Sequence, residues 1–354
     1  MDLVIDPQLR VPKYPKIPED CHVVFSDNNV QIYGMEESIS LSGNKSLPYL
    51  MKMIPLLNGK NSIEDILKSF KENEKKYIGK ILGYLYMKGV FESFDNQFVL
   101  SDDSNDLRFY SRCADITRYS KNRFEVMNRI KGYRLCLLAN GEFGECLLNE
   151  LETAGFEDLR LFHFDKKLLD SLSDDKNAIE RLIDENQMQG RHVVVLADRK
   201  IPHLFKSVNN YCLENKTTWT LSYLTDKSCL IGPTFIPGET GCYNCYEQRM
   251  QAYVADIDDF IARNNYLDMG STLPFSHTTY NLKIWTSMVV SEIVNISSLI
   301  NFPQTIGGEL EYNFVLTRLR TSSFYALPSC KACSKKLNSE AYQYGGITAD
   351  VQNR

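Results

Sequence analysis

Apolar residues recur with helical spacing in three segments of the first hundred positions. In each segment, four apolar side chains stand at i, i+3, i+4 and i+7, which is typical of an amphipathic helix. The three sets are Leu47, Leu50, Met51 and Ile54; Ile63, Ile66, Leu67 and Phe70; and Ile78, Ile81, Leu82 and Leu85. Ser62 followed by Asp65 resembles a capping box at the start of the second helix.

Short strand-like runs flank these helical patterns. Three precede them, at residues 22–25, 30–33 and 38–41. Two follow, at residues 90–94 and 97–100, and Asp95-Asn96 between them predicts a turn. Three helices followed by a hairpin predict a winged helix-turn-helix domain over residues 1–105.

A polar linker at residues 101–106 predicts the domain boundary. Beyond it, apolar strand patterns alternate with helical ones. Strands are predicted at 133–138, 159–164, 193–197 and 218–224, and helices at 143–153, 176–186 and 204–215. This alternation predicts that residues 106–354 form an α/β domain with a mostly parallel sheet.

Charge and composition exclude several classes of function. The chain has 354 residues and a net charge of −5, and the predicted wing at 97–100 contains no Arg or Lys, so nucleic-acid binding is not expected. The most apolar run, residues 284–302, contains Glu292, Asn295 and Asn301, so no membrane span is expected. Ten cysteines without a secretion signal indicate a reducing, cytoplasmic setting. The polar tail, residues 334–354, is either disordered or extends to a partner.

Two cysteine pairs predict a metal site. Cys242-Tyr-Asn-Cys245 and Cys330-Lys-Ala-Cys333 each present two thiolates that can converge on one ion. Four sulfur ligands complete a tetrahedral zinc shell and leave no open position, so the zinc is expected to be structural. The alternatives are coincidence and a redox CxxC pair. A redox pair needs one CxxC on a thioredoxin-like βαβ unit, and neither pair has that context.

A glycine-containing turn follows the first strand of the predicted α/β domain. A phosphate-binding turn requires three glycines, but Ala139-Asn-Gly-Glu-Phe-Gly144 retains only Gly141 and Gly144. Glu142 would also repel a phosphate. Taken alone, the motif indicates an ordinary turn from a strand into a helix.

The segment Gly232-Pro-Thr-Phe-Ile-Pro-Gly-Glu-Thr-Gly-Cys-Tyr-Asn-Cys245 resembles the ThiF, MoeB and ubiquitin-activating-enzyme family. The whole chain is similar to its peptide-maturation branches, with an N-terminal peptide clamp, a helix containing Phe109-Tyr-Ser-Arg112 and a C-terminal cysteine knuckle. One such branch is the adenylating enzyme of microcin C maturation. The other is the zinc-binding scaffold subunit of azoline-forming cyclodehydratases, which make thiazole/oxazole-modified microcins with a YcaO partner.

Departures from the family pattern favour the scaffold branch. Ala139 occupies the position of the first glycine, and His163 that of the aspartate that binds ribose. No arginine lies between Asp165 and Lys176, where the family has one that contacts phosphate. The resemblance therefore implies a degenerate nucleotide site with ATP bound by the partner. The remnants of this site are Gly141, Gly144, Lys176 and Asp198.

In families with this N-terminal domain, a leader peptide adds as a strand to the sheet beside the third helix. The strand at residues 37–42 and a second stripe on the third helix are the matching positions. The predicted peptide-binding residues are Glu37, Ser38, Ile39, Ser40, Leu41, Lys76, Gly79, Lys80, Gly83 and Met87. Two glycines within a helix each cost about 1 kcal/mol relative to alanine, which an open lane for a peptide backbone explains. Close packing against the first helix is the alternative explanation.

The resemblance therefore implies a RiPP recognition element joined to a ThiF-like domain. The expected function is leader-peptide binding and scaffolding in a cyclodehydratase of bacteriocin biosynthesis, without catalytic residues of its own. Its expected partners are a precursor peptide and a YcaO subunit, with a flavin dehydrogenase and a second copy of the chain as further candidates. An adenylyltransferase and a pure leader-binding adaptor are the alternatives.

Overall fold

The computed structural model describes residues 11–34, 38–42, 46–99, 104–113, 119–165, 190–268 and 276–334, together with Leu169 and Met188. The described chain divides into two compact units. The first comprises Met1–Ile130 with Asn295–Phe302, and the second comprises Lys131–Val294 with Pro303–Arg354. The predicted domain boundary at residue 105 stays a prediction.

The first unit contains a three-stranded antiparallel sheet of β2 (His22–Ser26), β3 (Asn29–Tyr33) and β4 (Ile39–Ser42), in that order. Three helices follow: α1 (Leu47–Met53), α2 (Ile63–Lys68) and α3 (Glu72–Met87). All six elements confirm the sequence patterns. The predicted cap is also present, because Asp65 N donates to Ser62 Oγ at 3.1 Å. Buried residues from both parts, including Ile32, Leu50 and Leu82, form one hydrophobic core.

The predicted terminal hairpin is wrong. Strand β5 (Glu92–Phe94) pairs antiparallel with β1 (Tyr14–Lys16), a strand that the sequence patterns did not indicate. Residues 97–99 lie outside the strands of the described chain, and Phe98 N donates instead to Gly59 O. Pro15 lacks an N–H and so weakens the strand signal, but it is tolerated here because β1 is an edge strand. The winged helix-turn-helix assignment is therefore not confirmed.

Helices α4 (Asn105–Cys113) and α5 (Arg123–Gly132) lead into the second unit, whose centre is a seven-stranded sheet. Its strands are β6 (Arg134–Ala139), β7 (Asp158–His163), β8 (His192–Ala197), β9 (Trp219–Leu224), β10 (Ser228–Phe235), β11 (Gly308–Asn313) and β12 (Arg318–Ser323), in the order β12-β11-β10-β9-β8-β6-β7. The pairs of β6 with β7, β6 with β8 and β8 with β9 are parallel. The pairs that join β9 to β10, β10 to β11 and β11 to β12 are antiparallel. The sheet is therefore mixed, which corrects the expectation of a mostly parallel one.

The remaining α-helices of the described chain are α6 (Glu142–Thr153), α7 (Pro202–Glu214), α8 (Tyr243–Ala252), α9 (Ile257–Asp268) and α10 (Thr279–Ser298). All six residues of β8 are buried, as expected for a central strand covered on both faces. The predicted helix at 176–186 lies outside the described residues. Within the described part of the chain, no helix has both the length and the apolar character needed to cross a bilayer.

Candidate metal centre and peptide-binding edge

The first cysteine pair lies at the start of α8. Cys242 is the residue before the helix and Cys245 lies in its first turn, where the positive end of the helix dipole favours thiolates. Tyr243 N donates to the side-chain oxygen of Asn209 on α7 at 2.9 Å, which anchors this helix end. The CxxC sequence thus becomes a turn whose two sulfur atoms face the same side.

The second pair lies in a tight turn after β12. Cys330 N donates to Leu327 O, and Ser334 N donates to Cys330 O, each at 3.0 Å. Leu327 N donates to Cys245 Sγ at 3.4 Å, so the second turn also supplies a backbone N–H to a sulfur of the first. Such N–H···S bonds stabilise a thiolate.

The four sulfur atoms have the spacing of a tetrahedral site. Cys242 Sγ lies 3.9 Å from Cys245 Sγ and 3.7 Å from Cys330 Sγ, and Cys245 Sγ lies 3.5 Å from Cys333 Sγ. All four atoms lie within 4.8 Å of one another and all four residues are buried. A Zn–S bond of about 2.3 Å implies sulfur–sulfur distances of about 3.8 Å in a tetrahedron. The donor set therefore fits a metal ion such as zinc.

Electrostatics in this cluster favour a thiolate at Cys245. Hydrogen bonds from Cys242 and Cys333 lower the pKa of the Cys245 thiol, although burial opposes them. The hydrogen bond with Cys245 raises the pKa of the Cys242 thiol, so Cys245 is the thiolate of this pair. Ligand thiols must lose their protons to bind a metal, and Cys245 provides the first thiolate.

The glycines of the turn after β6 have structural reasons. Gly141, with φ of +56°, begins α6 in a conformation that disfavours other residues. A Cβ at Gly144 would lie 2.9 Å from Leu161 Cδ1 and 3.0 Å from Ala139 Cβ, so this glycine permits close packing of helix on sheet. Packing alone accounts for Gly144.

The described polar residues around the predicted nucleotide site contact other protein groups. Asp198 is buried and its Oδ1 accepts from Arg199 Nη1 at 2.9 Å. The side chain of Asn140 accepts from Asp198 N at 3.0 Å. His163 Nε2 lies 3.2 Å from Glu145 Oε1. Lys176 lies outside the described residues. The aspartate expected to hold magnesium in active relatives is thus already paired with a cation.

Strand β4 lies at one edge of the three-stranded sheet. It pairs only with β3 among the described strands, with Ile39 opposite Ile32 and Ser42 opposite Asn29. Ile39 is buried in the core, whereas Ser40 and Ser42 are exposed. Ser38 is described but precedes the strand, and Glu37 lies outside the described residues.

The predicted stripe on α3 contains both exposed and buried residues. Lys76, Lys80 and Met87 are exposed, and a Cβ at Gly83 would meet no atom within 4 Å. Gly79 is buried. The packing explanation therefore fails at Gly83, where the helix surface is open, and remains available at Gly79.

Two contact systems were missed by sequence reasoning. Arg123 donates to Glu92 in a fully buried ion pair of the first unit, and neither residue belongs to a recognisable motif. In the second unit, Asp198 and Arg199 are adjacent in sequence, so the pairing of the candidate magnesium ligand with a cation could have been predicted. The first pair had no such signal, because its residues are far apart along the chain.

The sequence matches no protein-family model and no curated protein. Solved structures do share its fold. The heterocyclase TruD has a TM-score of 0.65 and 19% identity over 91% of this chain and 43% of TruD. MccB from E. coli, in a structure with succinimide, has a TM-score of 0.66 and 13% identity over 90% of this chain and 98% of MccB. MccB with ATP gives a TM-score of 0.60 at 13% identity over 90% of this chain and 99% of MccB.

These similarities define the class of fold, which is that shared by TruD and MccB. The chain spans about two fifths of the length of TruD and nearly all of MccB.

Proposed function

We propose that this chain is the leader-peptide-binding, zinc-containing scaffold subunit of an azoline-forming cyclodehydratase. It presents a ribosomal precursor peptide to a YcaO partner, which uses ATP to close the rings. The fold shared with a heterocyclase supports the class of reaction. The observation that carries the proposal is the edge of the three-stranded sheet at β4.

An edge strand can bind an extended peptide through its backbone. Residues Ile39–Ser42 pair on one side only among the described strands, so an added strand can form the next ladder of hydrogen bonds. Helix α3 contributes to the same core as Ile39 and carries the open position at Gly83. Lys76 and Lys80 are exposed on that helix and suit an acidic leader.

The contacts of Asp198 support a role without adenylation. Adenylation requires a carboxylate that is available for magnesium, since the metal neutralises the triphosphate. Arg199 already neutralises Asp198, and Asn140 occupies the neighbouring turn. The proposal therefore assigns ATP to the partner and a structural role to zinc.

Leader binding tests the proposal directly. The probe is a fluorescently labelled leader from a precursor peptide that is encoded, together with a YcaO protein, near the gene for this chain. Binding of the leader to the full chain is followed by fluorescence anisotropy. We expect roughly micromolar affinity, about −8 kcal/mol. Gly83→Leu should weaken binding by filling the open position. Lys80→Glu should weaken it through charge, and this effect should shrink at high salt because exposed charges are screened.

Matched variants control for unrelated effects. Gly132→Leu adds the same side chain at another glycine where a Cβ would meet no atom within 4 Å. Lys227→Glu makes the same charge change in an exposed turn of the second unit. Both should bind like the unaltered chain. Equal affinity for Gly83→Leu, Lys80→Glu and the controls would show that the peptide binds elsewhere.

The fold shared with MccB, at a TM-score of 0.66, supports an adenylyltransferase as the second candidate. ATP–pyrophosphate exchange by the purified chain separates the two candidates. A pure leader-binding adaptor is distinguished from a cyclodehydratase subunit by reconstitution, because only the latter supports loss of water from the peptide when YcaO and ATP are added.

A further inference from the structure

A basic cleft opens at the amino-terminal ends of strands β6, β8 and β9. Its volume is about 450 Å³, within the range of small-molecule sites. The residues that give it its chemistry are Tyr133, Arg134, Arg191, His192, Lys216 and Thr218. It lies at the opposite end of these strands from Asn140 and Asp198, so it is separate from the degenerate nucleotide site.

Positive charge exceeds negative charge in this cleft. Arg191 is buried, and its Nη1 lies 2.7 Å from Asp158 Oδ1. Arg134 Nε lies 3.1 Å from Asp158 Oδ2, so two guanidinium groups share one carboxylate. Lys216 is exposed and forms no ion pair among the described residues. Three cations thus face one anion on a chain whose net charge is −5.

The cations are held in place by the fold. Arg191 Nη1 also donates to the backbone oxygen atoms of Asp158 at 3.2 Å and Leu135 at 3.4 Å. The contacts of Arg191 to described residues use Nη1 alone, and its Nε is buried without a partner among them. Lys216 has φ of +52° in a turn closed by Thr217 N, which donates to Cys212 O. A ligand therefore meets groups whose positions are already fixed.

The floor of the cleft adds neutral polar groups. His192 Nδ1 lies 3.0 Å from Tyr133 Oη, and its Nε2 lies 2.8 Å from Thr220 Oγ1. Burial lowers the pKa of His192 to about 3, so the imidazole is neutral at pH 7. The charge of the cleft thus comes from its two arginines and its lysine.

We propose that this cleft binds the phosphate group of a small phosphorylated molecule. Arginine forks match phosphate oxygens, and the excess of two positive charges suits a dianion better than a single carboxylate. Nothing in the proposed scaffold function uses these residues. The cleft is therefore a second ligand site, distant from the carboxyl ends of the strands.

Calorimetric titration of the full chain at constant ionic strength tests this assignment. The probes are inorganic phosphate, pyrophosphate and adenosine monophosphate. We expect at least one to bind, and Arg134→Gln and Lys216→Gln each to weaken it about tenfold, as expected for loss of a charge-assisted contact. Lys227→Gln makes the same charge change near the opposite ends of the strands and should leave the affinity unchanged. Tighter binding of the nucleotide than of both inorganic ions would identify a nucleotide as the ligand class.

Asp198→Ala distinguishes this cleft from the degenerate site, since only binding at the latter should respond to it. The proposal is overturned if none of the three probes binds. It is also overturned if Arg134→Gln and Lys216→Gln bind as tightly as the unaltered chain, or if Lys227→Gln weakens binding equally. Both substituted side chains are exposed. A denaturation midpoint equal to that of the unaltered chain, followed by tryptophan fluorescence, would verify that each variant is folded.

Discussion

Replacing Glu92 by Gln should destabilise the first unit, because Glu92 is the centre of a buried charge cluster. Glu92 and Arg123 are both fully buried, with Arg123 Nε 3.0 Å from Glu92 Oε1 and Arg123 Nη2 2.6 Å from Glu92 Oε2. Lys16 Nζ lies 3.7 Å from Glu92. Glu19 is 35% exposed and contacts both cations, so the cluster has two positive and two negative charges. Glu92→Gln preserves the shape and removes one negative charge.

The magnitude follows from the burial of the pair. Removing one partner of a buried ion pair costs about 3–5 kcal/mol, because it leaves the other charge uncompensated. Glu19 remains beside Arg123 and offsets part of this cost. We therefore expect a loss near the lower end, about 3 kcal/mol. With a urea m-value of about 2 kcal/mol per molar, the unfolding midpoint should fall by about 1.5 M.

The two tryptophans make the two units separately observable. Trp219 and Trp285, which are all the tryptophans of the chain, lie in the second unit. Their fluorescence therefore follows that unit, whereas far-ultraviolet circular dichroism follows both. In urea, unfolding of the first unit should appear as a transition seen by circular dichroism and not by tryptophan fluorescence. Glu92→Gln should lower the urea midpoint of this transition and leave the fluorescence midpoint unchanged.

An exposed ion pair provides the control. Glu72 pairs with Lys75 on α3, but its side chain is 87% exposed. Glu72→Gln should change stability by less than about 0.5 kcal/mol, as is usual for surface pairs on helices. A Glu92→Gln variant as stable as Glu72→Gln would refute the reasoning, as would a shift confined to tryptophan fluorescence.

Three further predictions concern the second unit. Purified protein should contain one zinc per chain by metal analysis, and Cys242→Ser or Cys330→Ser should lose it together with local stability; protein made with zinc available but free of metal would contradict the site. ATP–pyrophosphate exchange should be negligible, since Arg199 neutralises Asp198; robust exchange abolished by Asp198→Ala would favour adenylation. Burial lowers the pKa of His192 to about 3, whereas its pKa in the unfolded chain is near 6.5. As the pH falls below about 6.5, the unfolded state therefore binds a proton that the folded state does not, and the free energy of unfolding decreases. His192→Gln should reduce this acid sensitivity of the fluorescence midpoint, and an unchanged slope between pH 6.5 and 4 would count against the burial argument.

Periodicity and residue chemistry determined most of the elements. Helical spacing is visible in sequence because one face of each helix must be buried, and this predicted α1, α2 and α3. The four cysteines were also recognisable in the sequence, because two CxxC pairs have the ligand spacing of a tetrahedral zinc site. Tertiary structure then brought Cys242 within 3.7 Å of Cys330.

Only the tertiary structure decided contacts between distant residues. The pairing of β1 with β5 replaced the predicted hairpin, and buried charges on Lys16, Glu92 and Arg123 connect these segments. Local patterns carry no record of such partners, since each charged residue taken alone is typical of a solvated surface. The open position at Gly83 was equally undetermined, because a glycine in a helix has the same sequence signal whether a neighbour packs on it or nothing does.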